Sequence, residues 1–338
     1  MIVVKIKLSK ENFNEKLKTL SNEYKILAPV SLEYMGTFSD TDVVRYKEVS
    51  SLDEMELNRK SNFSAKEIVF PITQILFYFT ENEFKESDID DKKLLIFLRA
   101  CDINAMKRLD EIYLKNGIDE DYYYKKLREK VKFVLVGCRE SFRNCFCVSM
   151  DSNKTGNYSM GIKVDDNEVF LEIKDKNLSI FNGEECEFEI DFVKENLFNI
   201  DVPLIDKIDP KEISKNEMWE EYNSRCIACG RCNFVCPTCS CFTMQDVFYK
   251  ENEKVGERRR VWAGCQVDGF TAMAGGHEFR KTKGERIRFK TMHKIYDFNK
   301  RFGYNMCVGC GRCDDACPQY ISFSRCIEKV NEISKEEK

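Results

Sequence analysis

The cysteines are the residues whose spacing points to chemistry, because eight of the 17 form a repeated pattern. Two segments, 226–237 and 307–318, share the spacing C-x2-C-x2-C-x3-C-P and an interior Gly-Arg pair. Their cysteines are Cys226, Cys229, Cys232 and Cys236 in the first segment, and Cys307, Cys310, Cys313 and Cys317 in the second. This spacing predicts two [4Fe–4S] clusters, because two-residue spacers let one loop point three thiolates inward.

The fourth cysteine of each segment is expected to reach the other cluster, as it does in two-cluster ferredoxins. We therefore predict that one cluster is held by Cys226, Cys229, Cys232 and Cys317. We predict that the other is held by Cys307, Cys310, Cys313 and Cys236. Zinc knuckles and disulfides are the alternatives, but zinc sites favour paired C-x2-C halves over four cysteines that end in Cys-Pro.

A second group of cysteines follows two predicted strands. Cys101 comes after the apolar run 94–98, and Cys138, Cys145 and Cys147 come after the run 131–136. Four thiols at the ends of two strands predict a third [4Fe–4S] cluster. The alternative is a set of small buried residues, since free cysteines are often simply part of a core. Three further cysteines are assigned either to packing beside the first motif or to an additional ligand role: Cys239, Cys241 and Cys265.

Two kinds of segment must position these cysteines. The N-terminal part alternates between helical periodicity and apolar runs of strand length, and residues 161–174 predict a hairpin with its turn at 165–167. In the C-terminal part, Asp209 followed by Pro210 predicts a helix start, and Gly303 ends an apolar helical stripe. We predict an α+β fold: a mixed α/β domain over residues 1–205, followed by an α-helical two-cluster ferredoxin domain over residues 206–338.

The charge, the apolar runs and the N-terminus of the sequence argue against nucleic-acid binding, a membrane segment and secretion. With 54 Lys and Arg against 58 Asp and Glu, the net charge is −4, which argues against bulk nucleic-acid binding. The longest mainly apolar run, residues 68–79, contains Pro71 and is too short to span a bilayer, so no membrane segment is expected. Because the N-terminus lacks a secretory pattern, we expect a cytoplasmic protein with reduced thiols. The basic segment 280–301 is interpreted as a source of cations for the negatively charged clusters.

No nucleotide-binding or hydrolytic signature accompanies the cysteines. The sequence contains no G-x-G-x-x-G that opens a helix after a strand, no P-loop and no nucleophile elbow. A one-electron carrier without its own nicotinamide or flavin site needs neighbours that donate and accept electrons. The sequence therefore predicts an electron-transfer subunit that is not itself catalytic.

Several short motifs resemble the iron–sulfur electron-transfer subunit of anaerobic sulfite reductases. They are Arg99-Ala-Cys101-Asp102, Cys145-Phe-Cys147, Cys236-Pro-Thr-Cys239-Ser-Cys241 and Gly275-Gly-His277. The beta subunits of sulfhydrogenases share much of this pattern. In this family Cys101, Cys138, Cys145 and Cys147 recur as a set, which supports the third cluster.

The resemblance implies a three-subunit complex. A flavoprotein subunit would oxidise NADH, this chain would relay the electrons, and a sirohaem subunit would reduce sulfite to sulfide. Two alternatives stay open: the electron-transfer beta subunit of a soluble hydrogenase or sulfhydrogenase, and an iron–sulfur protein whose clusters only organise an interaction surface. The chain departs from the family at Ala263 and Gly264, where an acidic or serine residue usually stands beside the tryptophan.

Overall fold

The fold is described from a computed structural model over residues 3–38, 40–249 and 254–336. In these ranges the strands are β1 (Val4–Ser9), β2 (Tyr24–Leu32), β3 (Val43–Glu48), β4 (Thr73–Phe79), β5 (Phe84–Glu86), β6 (Lys93–Leu98), β7 (Val131–Val136), β8 (Met160–Asp165), β9 (Glu168–Ile173), β10 (Glu184–Glu185), β11 (Phe242–Phe248) and β12 (Gly256–Trp262). The helices are α1 (Lys10–Leu20), α2 (Lys66–Val69), α3 (Ala100–Leu114), α4 (Tyr122–Arg128), α5 (Pro210–Lys215), α6 (Glu221–Arg225), α7 (Arg231–Phe234), α8 (Lys283–Met292), α9 (Phe298–Phe302), α10 (Arg312–Ala316) and α11 (Phe323–Glu336).

The larger sheet has eight strands in the order β10-β1-β9-β8-β7-β6-β2-β3. Its centre, β2, β6, β7 and β8, is parallel, and the outer strands pair antiparallel. Strands β6 and β7 are buried over most of their length, as expected for apolar runs that are covered on both faces. The predicted hairpin is confirmed by β8 and β9, with Asp166 at positive φ in the turn. Cys101 and Cys138 follow the carboxyl ends of two adjacent parallel strands.

A smaller sheet crosses the boundary that the sequence predicted at residue 205. Its order is β11-β12-β4-β5, all antiparallel, so a hairpin of the C-terminal part pairs with two strands of the N-terminal part. The buried Arg260 of β12 pairs with Asp121 at the start of α4. The mixed α/β region of the N-terminal part is confirmed. The insert between the two cysteine motifs contains the hairpin β11–β12 as well as helices, where the sequence predicted an α-helical domain.

Two helix boundaries of the C-terminal part lie where the sequence indicated them, at Asp209 and at Gly303. The Asp209 carboxylate accepts hydrogen bonds from the backbone N–H groups of Lys211 and Glu212 and caps α5. Helices α8 and α9 run on through a π-helical turn, and Gly303, at φ 81°, ends them. Among the described residues, no helix has the length and apolar character needed to cross a membrane.

Candidate metal centres

The two cysteine motifs fold into loops of the same shape. In the first, the backbone N–H of Ala228 donates a hydrogen bond to the Cys226 sulfur at 3.4 Å. At the equivalent position of the second, the N–H of Gly309 donates to the Cys307 sulfur, also at 3.4 Å. Hydrogen bonds from backbone N–H groups to sulfur stabilise cluster thiolates. The repeat in the sequence is therefore a repeat in structure.

Each loop contributes cysteines to two adjoining cavities. The cysteines that line the first cavity are Cys226, Cys229, Cys232, Cys313, Cys317 and, from α11, Cys326. Those that line the second are Cys236, Cys307, Cys310 and Cys313. The fourth cysteine of each motif thus lies beside the cavity of the other motif, which is the crossed grouping that the spacing predicts, and Cys313 lies at the wall between them. None of the 17 cysteines forms a disulfide.

Two lysines of α8 and of the turn that follows it bring positive charge to these cavities. The Lys290 ammonium donates to the Cys232 carbonyl at 3.1 Å, and Lys294 donates to the Thr238 hydroxyl at 2.7 Å. Burial disfavours the charged form of Lys290, but the neighbouring thiolates, first among them that of Cys232, hold its pKa well above the ordinary value. A buried, permanently charged lysine fits a site that receives the negative charge of four thiolates and their cluster.

Burial acts in the opposite direction on the thiols. It raises the pKa of Cys307 to about 12 and that of Cys310 to about 11. A thiol in such a place stays protonated unless a metal takes the proton's position, because the thiolate is the metal ligand. The donor set, the N–H bonds to sulfur and the two buried cations together fit a [4Fe–4S] cluster in each cavity.

Replacing Lys290 by methionine is expected to lower the reduction potential of the clusters. Loss of a buried cation disfavours the reduced, more negative state, and the expected shift is on the order of 60 mV, a tenfold change for a one-electron couple. An EPR-monitored redox titration of the isolated chain measures it. Lys290→Arg keeps the charge and should stay close to wild type; equal potentials in all three proteins would show that Lys290 does not tune the clusters.

The third cysteine set is also brought together. Cys101 lies in the first turn of α3, and Cys138 follows β7. The Cys147 thiol lies within electrostatic range of Cys101, Cys138 and Cys145. Cys145 and Cys147 are buried, and Cys101 and Cys138 are half-buried. Cys138 opens onto a cleft of about 450 Å³ that Arg99 also lines. Four thiols from three separate segments therefore lie beyond the carboxyl ends of β6 and β7, with Cys147 as their common neighbour.

Three polar side chains donate to the sulfurs of this set. The Arg99 guanidinium reaches the Cys138 sulfur at 3.2 Å, and the buried Asn196 amide reaches that of Cys147 at 3.5 Å. The Lys60 ammonium lies 3.7 Å from the Cys145 sulfur. The sequence pointed to Arg99 through its motif, but it carried no signal for Lys60 or Asn196, which come from distant loops.

The remaining cysteines beside the first motif surround one asparagine. The buried Asn233 amide donates to the sulfurs of Cys239 and Cys265 at 3.5 and 3.3 Å. Cys241 hydrogen-bonds to Cys265 through its thiol. The structure thus brings together the three cysteines whose role the sequence left open, and one buried amide contacts two of them.

The 4Fe-4S dicluster domain family matches residues 225–321, which include both cysteine motifs. Sulfhydrogenase 2 subunit beta of Pyrococcus furiosus is 30% identical over 97% of this chain and 98% of its own length. The F420-dependent formate dehydrogenase subunit beta of Methanocaldococcus jannaschii is 22% identical over 41% of this chain and 29% of its own. No solved structure matches. With 30% identity along nearly the whole of both chains, this protein belongs to the family of the sulfhydrogenase beta subunits.

Proposed function

We propose that this chain is the iron–sulfur subunit that carries electrons between two other redox subunits of one oxidoreductase complex. The observation that carries the proposal is the pair of adjoining cavities, each lined by the four cysteines of the crossed motif. The ligands proposed for the first cluster are Cys226, Cys229, Cys232 and Cys317. Those proposed for the second are Cys307, Cys310, Cys313 and Cys236. We keep the proposed division of the chain into a first domain, residues 1–205, and a cluster domain, residues 206–338.

The protein's own residues give such clusters a defined setting. When bound, the clusters supply one-electron chemistry. The motif loops hold the thiolates and aim backbone N–H groups at the sulfurs of Cys226 and Cys307. Lys290 and Lys294 offset the negative charge, and burial of Cys307 and Cys310 keeps water from the second site. Two adjoining sites favour electron transfer over a purely structural role, for which one cluster is enough.

We also propose a third [4Fe–4S] cluster on Cys101, Cys138, Cys145 and Cys147. Its support is the position of four thiols beyond the carboxyl ends of β6 and β7 and the side chains that donate to their sulfurs, Arg99 and Asn196 among them. A guanidinium directed at the Cys138 sulfur favours a thiolate ligand over a packed thiol, since a thiol is a weak acceptor.

Cys145→Ser tests the third cluster. It should lower bound iron by about four atoms per chain, because one thiolate ligand is lost from a four-iron cluster. Iron and labile sulfide in the anaerobically purified protein measure the change. Cys186→Ser is the control and should keep all the iron, because Cys186 is half-buried and belongs to none of the three proposed ligand sets. Unchanged iron in Cys145→Ser would show that the four cysteines are packed core residues and do not hold a cluster.

A hydrogenase-type complex is the partner set that we favour. The support is the similarity to sulfhydrogenase 2 subunit beta along 97% of the chain. The second candidate is an anaerobic sulfite reductase, with an NADH-oxidising flavoprotein and a sirohaem subunit, and the motifs around Cys101, Cys145 and Cys239 favour it. Both candidates place the complex in the cytoplasm, where thiols stay reduced.

Cofactor analysis of the native complex separates the two candidates. The complex is isolated anaerobically through a tag on this chain, and nickel, sirohaem, flavin and iron are quantified together. Nickel without sirohaem supports the hydrogenase-type complex, and sirohaem with flavin supports the sulfite reductase. A chain that is isolated with neither would contradict both partner assignments.

A further inference from the structure

The two motif loops have the same shape but very different surroundings. In the second loop, Val308 is 2% exposed and Arg312 is 2% exposed. Their equivalents in the first loop, Ile227 and Arg231, lie on the surface, and Ile227 is 53% exposed. Because the two loops repeat one another, the contacts of the covered loop indicate which groups the open loop can bind.

The second loop is covered by the part of the chain that carries the third cysteine set. The backbone N–H of Phe146, between Cys145 and Cys147, donates to the Gly309 carbonyl at 2.7 Å. A Cβ atom on Gly309 would lie 2.4 Å from the Phe146 carbonyl oxygen, so the two backbones are in direct contact. A cysteine-bearing loop therefore sits against the Val308–Gly309 tip of the motif.

A buried ion pair completes this internal interface. Both terminal nitrogens of the Arg312 guanidinium bond to the Asp102 carboxylate, at 2.6 and 2.8 Å. Asp102 follows Cys101 directly, so the carboxylate comes from a segment that also carries a cysteine of the third set. The covering surface thus has two parts, a loop with ligands for a redox centre and a carboxylate that pairs with the motif's arginine.

The first loop presents the same features to solvent. Within the part of the chain that the structure describes, the Arg231 side chain makes no hydrogen bond or ion pair, and Cys229 is the one exposed cysteine. The exposed stretch 318–320 continues this surface, and Tyr320 at its end is 87% exposed. Arg231 and Ile227 of the first loop thus lack the covering contacts that Arg312 and Val308 have in the second loop.

We infer that the open-loop face, defined as residues 227–231 with Tyr320, is the docking site for a redox subunit of the same complex. The partner repeats the internal arrangement: a loop that holds a redox centre packs on Ile227, and a carboxylate pairs with Arg231. The inference rests on the proposed electron-transfer function. The exposure of Cys229 supports the inference, because residues of this face line the first cluster site.

Charge reversal at Arg231 tests the docking site. Tagged full-length chains, wild type and Arg231→Glu, are titrated with the redox subunits purified from the wild-type complex. A partner carboxylate opposite Arg231 should weaken binding by about tenfold or more in the variant, with a smaller dependence on salt. Lys18→Glu, an equal charge change at an exposed position on α1, should bind within about twofold of wild type.

Two further readouts keep the result interpretable. Iron content of the isolated Arg231→Glu chain should equal that of wild type, because Arg231 is exposed and is not one of the proposed ligands. Hydroxyl-radical modification of Tyr320 should fall in the wild-type complex relative to the free chain. Wild-type affinity of Arg231→Glu, or equal modification of Tyr320 in both states, would overturn the docking site alone. An isolated wild-type chain without iron would instead overturn the proposed function.

Discussion

Replacing Arg312 by alanine is expected to destabilise the protein by about 3–5 kcal/mol, because removing one partner of a buried ion pair leaves the other charge uncompensated. The side chain of Asp102 is 1% exposed, and the guanidinium also donates to the Ser61 carbonyl and hydroxyl at 2.8 Å. Asp102 and Ser61 lie far from Arg312 in the sequence, so the substitution weakens the contact between the N-terminal part of the chain and the second cysteine motif. Chemical denaturation of the anaerobically purified protein measures it.

The repeat supplies the matched control for this substitution. Arg231→Ala changes the same residue type at the equivalent motif position, but Arg231 is exposed and unpaired among the described residues. Its expected effect on the free energy of unfolding is within about 0.5 kcal/mol. Equal losses in both variants would contradict the distinct roles assigned to the covered and open loops.

Cys313→Ser is expected to remove the second cluster, about four of the eight iron atoms of the two motifs. Cys313 is 9% exposed and lies at the wall shared by the two cavities, so an unfilled ligand position there is sheltered from solvent that could replace it. Iron, labile sulfide and visible absorbance of the purified chain measure the loss. Cys186→Ser again serves as control. Full iron content and an unchanged EPR spectrum in Cys313→Ser would disprove the ligand assignment.

Local features of the fold could be predicted from the sequence. The apolar run at 131–136 became β7, the hairpin formed around Asp166, and Asp209 caps a helix with Pro210 in its first turn. These features depend on neighbouring residues, whose propensities and hydrogen bonds act over a few positions. The cysteine motifs belong to the same class, since their spacing is set within one loop.

Features that depend on distant pairing could not be predicted. The pairing of β12 with β4 joins segments more than a hundred residues apart, and nothing in either strand specifies its partner. The same holds for Lys60 beside Cys145 and for the pairing of Arg312 with Asp102. The sequence marked both members of that ion pair through their motifs, but only the fold shows that they meet.

Reduction of the isolated chain tests the central claim most directly. The anaerobically purified full-length protein is analysed for iron and zinc, then titrated with dithionite under EPR. Two clusters in adjoining cavities predict at least about eight iron atoms per chain and EPR signals that broaden through spin coupling as both become reduced. Zinc in place of iron, or clusters that stay oxidised and EPR-silent under dithionite, would contradict an electron-transfer subunit.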